Sequence, residues 1–233
     1  MSEFQRLYGN GAFKDCFHYF DHGIDSTQDT SSDLIKYGSQ KVLVLAEYQT
    51  RGRGTNDRTW SSKLGGLYFS LAFRIGTSEF QKDGCLPLQQ WLSTLRISAS
   101  VAACQAIRKF GCDAIIKWPN DTAISIKQVS NKYIQREEVL AQFCQIFENT
   151  IDHCFSNSIR NETLNSIMQT YRQLDGTCGQ RIIVYPKSMK IKESYEAIAV
   201  RITDEGTLIV QKVDDENCEV ELNGEEVSIR KLA

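Results

Sequence analysis

No stretch of this 233-residue sequence approaches the ~18 consecutive apolar residues that a membrane-spanning helix needs. Charge of one sign is equally scarce, with 27 Lys and Arg against 29 Asp and Glu and a formal net charge of -2. Generic binding to a polyanion depends on clustered basic side chains, so neither nucleic acid nor a membrane is an expected partner. The opening MSEFQRLYGNGAFKDC has no continuous apolar core of a secretory signal and no Arg-rich, acid-poor helix of a transit peptide, which predicts a cytoplasmic protein. None of the eight cysteines forms a CxxC pair, and only His18, His22 and His153 offer imidazole. Structural zinc ligands come in tight pairs, so reduced, mostly buried thiols and no structural metal are expected. GxxxxGK[ST], HExxH and GxSxG are all missing, and Gly9-Asn10-Gly11 and Gly52-Arg53-Gly54 each lack a third glycine. P-loop, zincin, α/β-hydrolase and Rossmann readings fall together.

What is present suits a folded chain. The sequence is 41% hydrophobic, enough for a real core. Lys41–Glu47 and Leu67–Arg74 are short, β-branched or aromatic, and read as strands joined by a polar, glycine-bearing loop. Leu88, Trp91, Leu92, Leu95, Ala99, Ala102 and Ala106 recur at three- and four-residue spacings and predict a helix over Leu88–Phe110 with one narrow face for a sheet. Ala114–Trp118 returns as a strand, stopped by Pro119. Arg136–Leu174 is helical, with Val139, Leu140, Phe143, Phe147, Ile151 and Phe155 on one face and Leu164, Ile167, Met168 and Tyr171 on another. Beyond Cys178 the period becomes two, and five short strands separated by turn signals predict a small β-barrel or sandwich. The domains expected are residues 1–176 and 177–233.

Three segments carry chemistry. Glu47–Trp60 (EYQTRGRGTNDRTW) combines glycines, which let backbone N–H groups approach a ligand, with Arg51, Arg53 and Arg58, whose planar forks suit carboxylate or phosphate. The same residues also read as a solvated charged loop or a short RG-type nucleic-acid segment. Lys117-Trp118-Pro119-Asn120-Asp121 brings a lysine out of a buried strand into a turn with an amide and a carboxylate, a set able to hold phosphates and a divalent cation. It reads equally as a turn whose Asn120 or Asp121 caps the next element. Ser26 and Thr27 precede a helical-looking stretch, where most such hydroxyls are caps.

In order, IDST, AEYQTRGRG…R.W.S with a following GGLYFSL, and KWPND resemble the catalytic domain of biotin–protein ligases over about residues 18–121. The resemblance implies an α/β (α+β) fold: a mixed β-sheet flanked by helices, related to class II aminoacyl-tRNA synthetases, then a small SH3-like β-barrel. It implies ATP-dependent formation of biotinyl-5′-AMP and transfer of biotin to a lysine of a carboxylase's biotin-acceptor domain, with ATP, Mg²⁺ and biotin as ligands. Ser26, Thr27, Gln28, Gln49, Gly52, Arg53, Gly54 and Thr55 match positions at the biotin end. Arg58, Trp60, Lys117 and Asn120 match the nucleotide end, and Arg53, Lys117 and Asp121 the reacting groups, with Asp121 toward Mg²⁺. No DNA-binding helix-turn-helix precedes IDST, so a repressor role is not implied.

The sequence departs from that pattern twice. Thr55 stands where the family usually carries a base, removing one cation from the turn. No glycine occurs between Cys112 and Asp175, so the family's Lys-x-Gly/Ala-Gly and GxGxN strands are both missing. Their loss is expected to leave neighbouring strand edges unpaired. A chain that binds ligand or acceptor domain without catalysis is the alternative function.

Overall fold

The computed structural model describes residues 3–54, 59–75, 88–124, 134–155, 160–186, 194–215, 218–224 and 227–231, with the side chains of 121–124, 152–155, 160–161, 228 and 231 outside that description. These residues fall into two compact units, one within Met1–Cys85 and Ile134–Glu148, the other within Leu86–Tyr133 and Asn149–Ala233.

The first unit is built on a four-stranded mixed sheet. Strand β1 (Phe17–Ile24) runs parallel to β2 (Lys41–Arg53), which pairs antiparallel with β3 (Thr59–Ser62) at one end and β4 (Tyr68–Phe73) at the other. Val42 to Ala46 of β2 are all buried, as expected of a strand covered on both faces. Helix α2 (Thr27–Lys36) packs on β2 and β4. The first part of α4 (Arg136–Phe155) brings Leu140, Phe143 and Phe147 inside, with the Phe143 ring edge-on to Phe69 at 5.0 Å. A short α1 (Glu3–Tyr8) inserts Phe4, whose ring lies 4.4 Å from that of Phe17.

The second unit shares one apolar core. Helix α3 (Leu88–Arg108), the hairpin β5 (Ala114–Lys117) and β6 (Asp121–Ile124), and α5 (Arg160–Leu174) join an antiparallel sheet of β7 (Arg181–Pro186), β8 (Tyr195–Ile202), β9 (Leu208–Lys212), β10 (Glu219–Leu222) and β11 (Val227–Lys231). The strand order is β10-β9-β8-β7-β11. The period-two expectation of five short strands beyond Cys178 holds here.

Three expectations need correction. The segment Thr50–Arg53 is not loop: β2 runs through it, because Gly52 and Arg53 pair with Trp60 and Thr59 across an antiparallel ladder. Asp121 is not in the turn but opens β6, directly opposite Lys117. The narrow α3 face is wrong at its start. Leu88 and Leu92 are exposed, while Ile97, Val101 and Cys104 on one side and Ser98, Ala102 and Ala106 on another are buried, so the helix is covered over a wide arc rather than one stripe. Cys16, Cys104 and Cys144 are buried free thiols; burial pushes the Cys144 thiol far up and that of Cys178 up to about 12. Among the described residues, no helix is long and apolar enough to cross a membrane.

Candidate active site

Of the residues expected at the biotin end, those of α2 and β2 are joined by a polar network around Gln49. Ser26 takes an extended conformation and caps α2, its Oγ accepting from the Gln28 backbone N–H at 3.2 Å. The capping role read from the sequence is therefore real, and Ser26 is 1% exposed. That cap presents the next N–H, of Thr27, to Gln49 Oε1 at 2.8 Å, and the Thr27 hydroxyl donates to the same oxygen at 3.1 Å. A backbone N–H can only donate, so the oxygen of the Gln49 amide must face Thr27 and its nitrogen must face away. Gln49 Nε2 accordingly donates to Ser62 Oγ at 2.8 Å on β3. With its own proton committed to Gln49, the Thr27 hydroxyl accepts from Ser70 Oγ on β4 at 2.8 Å. Four elements are thus tied by one glutamine and three hydroxyls.

Gly52 follows on the same strand and is the position at which the packing allows no side chain. A Cβ there would lie 2.6 Å from Ser62 Oγ, 2.9 Å from the Trp60 carbonyl and 3.1 Å from Gln49 Nε2. Glycine is required by close approach rather than by a left-handed backbone. Trp60, paired with Gly52 in the ladder, is 66% exposed, leaving its ring face available for stacking.

The cations of this segment are engaged. Arg53 Nη1 lies 2.8 Å from Asp29 Oδ1 on α2, and Arg51 lies 3.8 Å from Asp25, whose other carboxylate oxygen accepts from the Thr50 hydroxyl at 2.6 Å. Both ion pairs are well exposed, so each contributes only about 0–1 kcal/mol and is readily exchanged for a ligand anion. Gln28 is exposed and lines, with Ser31, Ile35, Ser70 and Ala72, a shallow groove of about 440 Å³ between α2 and β4. Gly54 is half-buried; Thr55 and Arg58 lie outside the described residues.

A second cluster lies two residues back along β2. Arg136, opening α4, makes two bonds to Glu47, at 2.7 and 2.9 Å, and one to the Gly66 carbonyl at 3.0 Å. Tyr19 donates to Glu47 at 2.5 Å. The Arg136 guanidinium, then Tyr19, hold the Glu47 carboxyl below the usual glutamate range, and the same carboxylate pushes the Tyr19 phenol up to about 12.

In the second unit the Lys117–Asn120 turn is held by its backbone. The Trp118 N–H donates to Thr177 Oγ1 at 2.9 Å, the Pro119 carbonyl accepts from Tyr171 at 2.8 Å, and the Asn120 carbonyl from Ser100 at 3.2 Å. The Trp118–Pro119 peptide is cis. The buried Trp118 indole donates to the Gly206 carbonyl at 2.9 Å. Lys117 is half-buried and Asn120 exposed. The Asp121 side chain lies outside the description.

Thr27, Gln49 and Gly52, grouped by the resemblance, are neighbours in the structure, and Ser62, Ser70, Asp25 and Asp29, to which the sequence gave no role, lie beside them. Ser62 stood in the R.W.S pattern as a lone hydroxyl in a strand, and Ser70 carried no signal beyond its place in an apolar run.

Residues 22–133 match the family model described as Biotin/lipoate A/B protein ligase family. The Bifunctional ligase/repressor BirA of Bacillus spizizenii is 37% identical over 108 residues, covering 45% of this chain and 30% of that protein. The chain thus spans less than a third of the curated relatives it matches first. Two solved structures share the fold at low identity. The biotin protein ligase from Aquifex aeolicus, in complex with biotin and ATP, superposes with a TM-score of 0.68 at 17% identity, over 93% of this chain and 99% of that one. The biotin acetyl coenzyme A carboxylase synthetase from Helicobacter pylori gives 0.56 at 16% identity, over 88% and 99%. The fold expected from the resemblance is therefore the fold found, a mixed α/β arrangement followed by a five-stranded antiparallel sheet, and through residues 22–133 the chain is similar to the biotin/lipoate A/B protein ligase family.

Proposed function

We propose that this chain is a biotin–protein ligase, activating biotin with ATP and passing it to a lysine of a biotin-acceptor domain in a carboxylase, in the cytoplasm. In the first half-reaction a biotin carboxylate oxygen attacks the α-phosphate and pyrophosphate leaves. In the second, the lysine amine attacks the acyl carbon of the mixed anhydride, AMP leaves, and the amine gives up a proton. The observation that carries the reading is the Thr27–Gln49–Ser62 network beside Gly52. It sets hydroxyl and amide groups in fixed orientation where the family binds an uncharged ureido ring, and preorganised polar groups bind without a further ordering cost.

Arg53, next to Gly52 on β2, supplies a cation, and an incoming carboxylate or phosphate replaces Asp29 as its partner. Lys117 and Asn120 serve the nucleotide, with Trp60 and Arg58 for its base and phosphates. Mg²⁺ would rest on Asp121 and on substrate phosphate oxygens, and would offset their charge. One carboxylate suffices for such a site, and among the described residues no group of three His, Cys, Asp or Glu forms a closed metal cage. In this reading residues 1–176 are the catalytic domain and 177–233 an accessory one.

One observation favours a second reading, a relative that binds ligand or acceptor without catalysis. Only residues 125–135 separate β6 from α4, and among the described residues β1 and β4 each pair with β2 alone and β6 with β5 alone. Incubation with labelled ATP, Mg²⁺, biotin and an acceptor domain separates the two: adenylate and biotinylated lysine are expected. Biotin binding with neither product would establish the second reading and end the first.

A further inference from the structure

The Lys117–Asn120 turn is secured by groups far away in sequence. Its main-chain atoms meet Ser100 on α3, Tyr171 on α5 and Thr177 in the following loop, at 3.2, 2.8 and 2.9 Å. Thr177 is fully buried and Tyr171 is 1% exposed, so water cannot stand in for either at those backbone groups. The loop bearing Thr177 is itself fixed to the same strand: the Gly176 N–H donates to the Ile116 carbonyl at 2.8 Å, and Asp175 Oδ2 accepts from the Cys178 N–H at 2.7 Å. From the other side, a Cβ on Gly224 would come within 2.7 Å of Pro119, so the β10–β11 turn already touches the proline ring. Of the side chains on either side of the held peptides, Lys117 is half-buried and Asn120 exposed.

We propose that Thr177 and Tyr171 are positioning residues for this turn. They fix the backbone from which Lys117 and Asn120 project, and the C-terminal sheet completes the hold through Gly206 and Gly224. The inference rests on the nucleotide role proposed above for Lys117 and Asn120. Neither positioning residue touches substrate; each acts on where the phosphate-binding groups stand, and an ångström of misplacement costs about a hundredfold in rate.

The test uses the full chain with Thr177→Val, Tyr171→Phe and, as the conservative control, Thr177→Ser. Amide hydrogen exchange is read at Trp118, whose N–H loses its acceptor in T177V. Exchange there is expected to accelerate by at least about tenfold, with β7–β9 unchanged and T177S close to wild type. Adenylate formation is read by pyrophosphate exchange. In T177V and Y171F, kcat is expected to fall about 10–100-fold while the Kd for biotin stays within about twofold, a split that general destabilisation would not produce. Unchanged exchange at Trp118 overturns the hold, and faster exchange with kcat unchanged overturns its importance for the reaction. A wild-type chain that binds biotin but forms no adenylate overturns the ligase reading instead, and the hold is then decided by exchange alone.

Discussion

The two candidate clusters, one in each unit, are made rigid by opposite means. At the biotin end, the functional side chains hold one another: Thr27, Gln49, Ser62 and Ser70 are both the candidate ligand groups and the structure that orients them. At the Lys117–Asn120 turn, the tethers run not through the Lys117 and Asn120 side chains but through backbone atoms, to Ser100, Tyr171 and Thr177. A small uncharged ring is recognised by hydrogen bonds of fixed direction, so its partners gain from mutual restraint. A phosphate is recognised by charge, which tolerates mobile side chains on a fixed base.

This contrast can be broken or sharpened by mutation. The largest effect is expected at Trp118, 1% exposed in the core of the second unit. Trp118→Ala should cost about 3–5 kcal/mol in denaturant unfolding, through the cavity and the orphaned Gly206 carbonyl. A loss below 1 kcal/mol would show that the core does not support the turn. Gln49→Leu comes next, leaving the Thr27 N–H and the Ser62 hydroxyl without their partner, at about 1–3 kcal/mol in the same measurement. Weaker biotin binding in calorimetry should accompany it. If stability falls but biotin affinity holds, the network is structural only.

The Glu47–Arg136 pair gives a smaller, pH-dependent effect. The folded-state pKa of Glu47 is depressed, so its contribution is fully present above the unfolded value of about 4.3 and is lost as pH falls through the folded value. Glu47→Gln should flatten the stability-versus-pH curve below about pH 4.3 by roughly 1–2 kcal/mol, and an unchanged curve would remove the pair from the account. The smallest effect is expected at the shortened cation set that follows Gly52-Arg53-Gly54. Thr55→Arg should slow release of the adenylate in a stopped-flow chase, by about 1 kcal/mol or less for one added charge.

Legibility in the sequence followed the same division. The C-terminal strands were plain because alternation and turn residues agree, as in Asn223-Gly224 and Asp204-Glu205-Gly206. Strand β1 was missed because His18, Asp21 and His22 interrupt its apolar pattern, and its pairing is parallel, with β2 alone among the described residues. The Arg-Gly-Arg stretch looked like loop by propensity, yet pairing with Trp60 made it strand. At the site, motif order located Thr27, Gln49 and Gly52. It gave no pairing for Asp25 and Asp29, whose contacts with Arg51 and Arg53 depend on the start of α2 and the end of β2 lying side by side.

The first unit is assembled from two pieces of chain, residues up to 85 and then 134–148. Leu140, Phe143 and Phe147 of the second piece complete a core that Val42–Ala46 and Phe69 begin. During translation the earlier strands therefore leave the ribosome long before the helix that covers them. At about 5–20 residues per second the delay is on the order of several seconds. Through that interval a strongly apolar strand lacks the cover of α4, and chaperone capacity rather than equilibrium stability would govern how much of the newborn protein reaches its native state.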